Sequence, residues 1–176
     1  MILKVGVAIP CLVKDLALLN YSLNSVNLLR PRPYHVAVDI NDGGSLREIR
    51  GKLFDFLFSK GCDVVLSCDV DFWLFPNILN YVKRDVVVSF AQLERNLADL
   101  PQAFVRLFWK RCWSGCYSIP KNVWLEIRGC WDGTDTNVKE LVGCYRFERR
   151  FSYFALRPRN TFSLTKVLKK RVKGVK

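Results

Sequence analysis

Apolar residues along this chain alternate between two periods, and the alternation predicts strands and helices in turn. Val5 to Ile9 reads as a first strand, ended by Pro10. Leu12, Leu16, Leu19, Leu23 and Val26 then recur at helical spacing, and that helix must stop before Pro31-Arg32-Pro33. Val36-Ala37-Val38 reads as a second strand, and Asn41-Asp42-Gly43-Gly44-Ser45 as a turn. Leu46, Ile49, Leu53, Phe56 and Leu57 predict a second amphipathic helix, closed by Gly61. A third strand follows at Val64 to Cys68, a short helix at Asn77 to Val82 after Pro76, and a buried strand at Val86-Val87-Val88. Strand, helix, strand, helix, strand is the order of an α/β fold. It predicts a mostly parallel sheet with helices on both faces and right-handed crossovers.

After Ala91 the pattern loosens. Leu93 to Gln102 reads as helix then turn, broken by Pro101, and Phe104 to Trp113 mixes aromatic and basic residues. Val123 to Ile127 predicts a short helix. Trp131 to Asn137 is a polar turn into another helix, with Asp135 or Thr136 as its N-cap. Leu164 to Lys176 alternates apolar and basic residues. The division expected is one domain over 1–160 and a basic tail over 161–176.

Composition narrows the class. The chain has 176 residues, 50% of them hydrophobic, which suits one domain with a substantial core and excludes disorder. No apolar run is long enough to span a bilayer, and Met1 to Val7 lacks the apolar core of a signal peptide, so a cytoplasmic protein is expected. The net charge of +12 favours anionic partners: nucleotide phosphates, nucleic acid or an anionic membrane. The seven cysteines are an odd number, which excludes a complete disulfide framework within one chain. Cys11, Cys62 and Cys68 read as small core residues, while Cys112 and Cys116 could bridge, or bind metal with Cys130 or Cys144.

Candidate chemistry concentrates where the third strand ends. Val64-Val65-Leu66 runs through Ser67-Cys68 into Asp69-Val70-Asp71. A strand buried on both faces carries no acids, so Asp69 and Asp71 belong just past its carboxyl end. In open α/β sheets that rim is where ligands bind. Two acids there can hold a hard divalent cation, which in turn can hold a diphosphate.

At this point the chain resembles the small nucleotide-sugar-dependent glycosyltransferases of the GT-A fold, a Rossmann-like α/β class, and is similar to its family 2 enzymes. The resemblance spans roughly Val5 to Arg146 and rests on four places. The first is the opening strand with Pro10. The second is Arg50 to Asp71, which resembles an arginine-led helix, a Gly-x-Asp step and an apolar strand ending in Asp-x-Asp. The third is Trp113 to Lys121, which resembles a glycine-led acceptor-side strand. The fourth is Gly133-Thr134-Asp135-Thr136, similar to the family's Gly-Glu-Asp stretch. The chain departs from the family at Thr134, where Glu is usual, and in having no histidine after the acidic pair. It is also short, so an acceptor subdomain must be minimal or supplied by a partner.

The resemblance implies a role for each residue. Asp71 would hold Mn²⁺ or Mg²⁺ against the diphosphate of a nucleoside-diphosphate sugar donor. Asp69 would bind the donor's ribose, or the metal through water. Asp39 or Asp42 would contact the nucleotide. Arg50, with Arg47 as rival, would pair with a donor phosphate or with the acidic pair. Asp135 is the candidate general base for an inverting transfer to an acceptor hydroxyl, with Asp132 as the alternative. Gly115, Trp131 and Asp132 are candidate substrate-binding residues. The acceptor would be a glycan, a protein or a lipid-linked molecule. The basic tail would suit peripheral contact with the inner face of a membrane.

Two other functions compete. The charge and the aromatic-basic stretch Phe104 to Trp113 would serve a nucleic-acid-binding protein. A sugar nucleotidyltransferase shares this general sheet, but it needs a Gly-rich loop after the first strand, and Pro10 to Lys14 has no glycine.

Overall fold

The structure, a computed structural model, describes residues 2–93 and 116–155. The stretches Phe104 to Trp113 and Leu164 to Lys176, Gly115, and nearly all of Leu93 to Gln102 lie outside the described residues. The elements in chain order are β1 (Val5–Leu12), α1 (Leu16–Asn27), β2 (His35–Asn41), α2 (Leu46–Ser59), β3 (Val64–Ser67), β4 (Phe72–Leu74) and β5 (Val87–Leu93). After the undescribed segment come β6 (Tyr117–Pro120), α3 (Lys121–Ile127), α4 (Asp135–Val142) and β7 (Tyr145–Ala155). Single 3-10 turns cover Val13–Asp15 and Ile78–Tyr81, the latter where a short helix is expected.

The strands form one sheet in the order β2-β1-β3-β6-β5-β7-β4. β1 pairs in parallel with β2 and β3, and β5 with β7, while β6 runs antiparallel to β3 and β5 and β4 antiparallel to β7. Five strands therefore point one way and two against them, so the sheet is mostly parallel, as the element order predicts. The chain crosses its faces as β1's alternation demands. Val5, Val7, Ile9 and Cys11 pack with Leu19 and Val26 of α1, and Ala8 packs with Ile49, Leu53, Phe54 and Leu57 of α2 on the other side. Burying each such large side chain contributes about 1.5–3 kcal/mol. Ser45 caps α2, its hydroxyl accepting from the Glu48 amide at 3.2 Å, a contact worth about 1 kcal/mol.

Three local expectations are corrected. Pro10 does not end β1; the strand continues to Leu12. Ala8 faces β3, its carbonyl accepting from the Cys68 amide at 3.0 Å, and Pro10 faces the same edge two residues on. β3 has ended there, so the missing N–H of Pro10 breaks no ladder bond. Leu12 consequently belongs to the strand, and α1 begins at Leu16, which stays 44% exposed and contributes little to the helix's buried stripe. The N-cap of α4 is Thr134 rather than Asp135 or Thr136, its hydroxyl accepting from the Asn137 amide at 3.2 Å.

Cysteine chemistry is also narrowed. Cys116 is buried, and Cys130 and Cys144 are exposed free thiols. Among the described residues no three His, Cys, Asp or Glu side chains gather as a metal cage, and no helix is long and apolar enough to cross a membrane.

Candidate active site

The carboxyl ends of β1 and β3 open into a cavity of about 180 Å³. Its wall is Pro10, Cys11 and Leu12 from β1, Asp15 from the following turn, Ile49 and Arg50 from α2, and Asp69, Val70 and Asp71 beyond β3. The expected rim position of the acidic pair is the observed one. β3 stops at Ser67, and both Asp69 and Asp71 are half-buried past its end. Among the described residues the wall carries three carboxylates against one guanidinium. That local excess of negative charge stands out in a chain of net charge +12.

Among the described residues Arg50 and Glu148 are the buried ionisable side chains of the acidic and basic types, Arg50 at 4% exposure. Its Nη2 donates to Asp69 Oδ1, and its Nη1 donates to the carbonyl of Gly133 at 2.9 Å. In the structure Arg50 pairs with Asp69 of the acidic pair. Arg47 lies one turn earlier and outside this cavity, donating from Nη2 to the Gly129 carbonyl at 3.2 Å. Cys68 directly precedes Asp69 in the chain, and Cys11 lies on the cavity wall. Burial pushes both thiols up, with the Asp69 carboxylate adding to the shift at Cys68 and the Asp15 carboxylate at Cys11.

The other candidate residues are distributed less evenly. Asp39 sits near the end of β2, half-buried and in register with Pro10, and Asp42 is exposed in the turn that follows. In that turn Asn41 Oδ1 accepts from the amides of Gly43 and Gly44 at 3.0 and 2.8 Å. Neither Asp39 nor Asp42 is on the cavity wall. Asp135 is the first residue of α4. Asp132 is exposed, and its Oδ1 accepts from the Thr134 amide at 2.8 Å and the Thr134 hydroxyl at 2.7 Å. These bonds hold its carboxyl below the usual range and give it a turn-forming role.

Trp131 is corrected from a substrate platform to a core residue. It is fully buried, stacked on Phe54 with ring centroids 5.6 Å apart, and edge-on to Trp124 at 5.2 Å. Its Nε1 donates to the Thr134 carbonyl at 2.8 Å. A ring with no exposed face cannot stack on a sugar; it anchors the loop between α3 and α4 instead.

Two residues escape the sequence reading. Asp15 stands on the cavity wall, and the rule that found Asp69 and Asp71 applies to it equally: an acid just past a buried strand. Gly133, with φ of +95°, packs against the first turn of α2, where a Cβ would lie 2.5 Å from the Arg47 nitrogen. Its composition signals only a turn.

The fold that carries this site is a glycosyltransferase fold of the Rossmann-like GT-A class. Among solved structures it is similar to TarS from S. aureus, residues 1–349, in complex with UDP, with a TM-score of 0.58 at 12% identity, covering 87% of this chain and 60% of that one. A second TarS structure matches with a TM-score of 0.57 at 13% identity, over 88% of this chain and 37% of that one. A glycosyltransferase involved in glycosylation of the major capsid of PBCV-1 matches with a TM-score of 0.52 at 9% identity, over 97% of this chain and 99% of that one. The chain thus spans 60% or less of the two TarS chains but almost the whole of the third. No family model matches the chain, and no curated protein matches it.

Proposed function

We propose that the protein is a metal-dependent glycosyltransferase that moves a sugar from a nucleoside-diphosphate sugar to a hydroxyl acceptor with inversion. The observation that carries this reading is the placement of Asp71 and Asp69 on a cavity at the strand ends of a glycosyltransferase fold. Like-charge repulsion between a diphosphate and the carboxylates of this wall is relieved by an accompanying cation. Asp71 is the residue to hold that cation, with Asp69 beside it but already bound to Arg50. Mg²⁺ is commonly held by one or two carboxylates and completes its shell with water and phosphate oxygens, so Asp71 with Asp69 beside it would suffice. When bound, the metal supplies charge neutralisation to the departing nucleoside diphosphate.

At about 180 Å³ the cavity is smaller than the ~300–1,000 Å³ of typical small-molecule sites, and it suits the diphosphate end of a donor rather than the whole molecule. One TarS neighbour was solved in complex with UDP, which supports a nucleotide-linked donor. In the transfer, the acceptor oxygen bonds to the anomeric carbon as the bond from that carbon to the diphosphate oxygen breaks. A carboxylate takes the hydroxyl proton, and Asp135 is assigned that role, with Asp132 as the alternative. Calorimetry with UDP and GDP, with and without Mn²⁺, tests the reading. Binding of at least one nucleotide only with the metal is expected; no binding of either with Mn²⁺ present overturns it.

A further inference from the structure

We infer that Arg50 is a positioning residue that ties the acidic pair to the loop leading into α4, and so sets the candidate base relative to the donor. The inference rests on the glycosyltransferase reading above for its functional consequence, and on geometry for the tie itself. Arg47, Arg50 and Phe54 recur at i, i+3 and i+7, so they share one face of α2. Every one of them holds the segment 129–134. Arg47 donates to the Gly129 carbonyl, Arg50 donates to the Gly133 carbonyl, and Phe54 stacks on Trp131. Gly133 approaches so closely that its missing Cβ is a condition of the contact.

Of these three anchors, Arg50 alone also reaches the cavity, through Asp69. A guanidinium is suited to this because its planar fork serves two acceptors in fixed directions at once. The loop it holds is itself stiff. Asp132 accepts twice from Thr134, Asn137 Oδ1 accepts from the Asp132 amide at 2.9 Å, and Thr134 caps α4. A displacement at Gly133 is therefore carried to Asp135, two residues on. Effective catalysis requires reacting groups to be placed within fractions of an ångström, so such a displacement lowers turnover while leaving the donor's own contacts in place.

Arg50→Lys in the full chain tests this, because lysine keeps a cation beside Asp69 but lacks the fork. Lys52→Ala, exposed on α2 and outside the cavity wall, is the control. Three quantities are read: Mn²⁺-dependent UDP and GDP affinity, nucleoside diphosphate release from UDP- and GDP-sugars with water as acceptor, and amide hydrogen exchange. For Arg50→Lys the affinity is expected to change by less than about threefold and turnover to fall by about tenfold or more, a kcat effect rather than a binding effect. The amides of Thr134 and Val138, which donate to Asp132 Oδ1 and the Thr134 carbonyl, should exchange about tenfold faster while those of β1 and β3 do not change. Lys52→Ala should leave turnover within about threefold of the unsubstituted protein. Equal losses of affinity and turnover, uniform acceleration of exchange, or no change in either would each overturn the inference. If the unsubstituted protein binds no nucleotide, the donor reading fails, and the exchange pattern still decides whether Arg50 holds the loop.

Discussion

Gly133→Ala lowers stability by about 3 kcal/mol, the largest structural effect expected of any one-carbon change at the site. Two costs combine. A residue with a side chain held at φ +95° is strained by about 1–3 kcal/mol. The added Cβ would also meet the Arg47 nitrogen at 2.5 Å and its Cα at 2.6 Å, and these are helix backbone atoms that cannot swing aside. The loop can relieve the clash only by withdrawing. That breaks the bond from Arg50 Nη1 to the Gly133 carbonyl, and a hydrogen bond to a charged group is worth about 1.5–3 kcal/mol. The cheaper of the two routes sets the loss. For a chain of this size each kcal/mol lowers the melting temperature by about 2–4 °C, so a fall of about 6–12 °C is expected in thermal melts. Gly51→Ala is the internal contrast. It lies inside α2 with nothing within 4 Å of its Cβ position, and alanine there should stabilise by about 0.5–1 kcal/mol. Equal melting temperatures for the two variants would contradict the packing assigned to Gly133.

The contrast between those glycines marks what the sequence can and cannot express. The acidic pair was readable because burial and charge conflict: Val64 to Cys68 is wholly buried, so the chain must emerge where Asp69 begins. α2 was readable because its apolar stripe and its cap agree, with Ser45 before the helix and Ile49, Leu53 and Leu57 on one face. β7 gave no such signal. Its sequence carries Arg146, Glu148, Arg149 and Arg150, and its register against β5 shifts twice between Phe90 and Gln92, which breaks the two-residue period. Only the fold explains how Glu148 stays buried there: it accepts from the Arg150 amide at 3.1 Å and lies 3.9 Å from Arg146. Trp131 failed for a related reason. A tryptophan beside a polar turn reads equally as a binding platform or as an anchor, and the stacking partner Phe54 lies 77 positions earlier. Long-range contacts of this kind, and the seat of Gly133 on α2, leave no trace in local spacing.

Asp71→Asn is expected to remove the metal-dependent part of nucleotide binding, lowering affinity for the preferred nucleoside diphosphate in Mn²⁺ by about 100-fold, or about 2.7 kcal/mol. Asparagine preserves the shape of the wall and deletes only the charge. The loss is large because the neighbouring carboxylate cannot replace it: Asp69 is already bound by Arg50. The companion variant separates the two acids by sign. Asp69→Asn removes one ionic partner of the Arg50 guanidinium at the edge of the cavity, with side-chain exposure of 5% at Arg50 and 23% at the substituted position. That buried cation then has reason to take phosphate oxygens directly. Asp69→Asn should therefore raise nucleotide binding measured without metal, where Asp71→Asn should leave it unchanged, and it should also lower the melting temperature because a buried charge has lost an ion pair. Calorimetry of both variants with UDP and GDP, with and without Mn²⁺, reads the difference. Mn²⁺-dependent affinity that survives Asp71→Asn would move the metal away from Asp71. Metal-free affinity that falls in Asp69→Asn would mean that the pair binds the nucleotide through Asp69 itself rather than restraining Arg50.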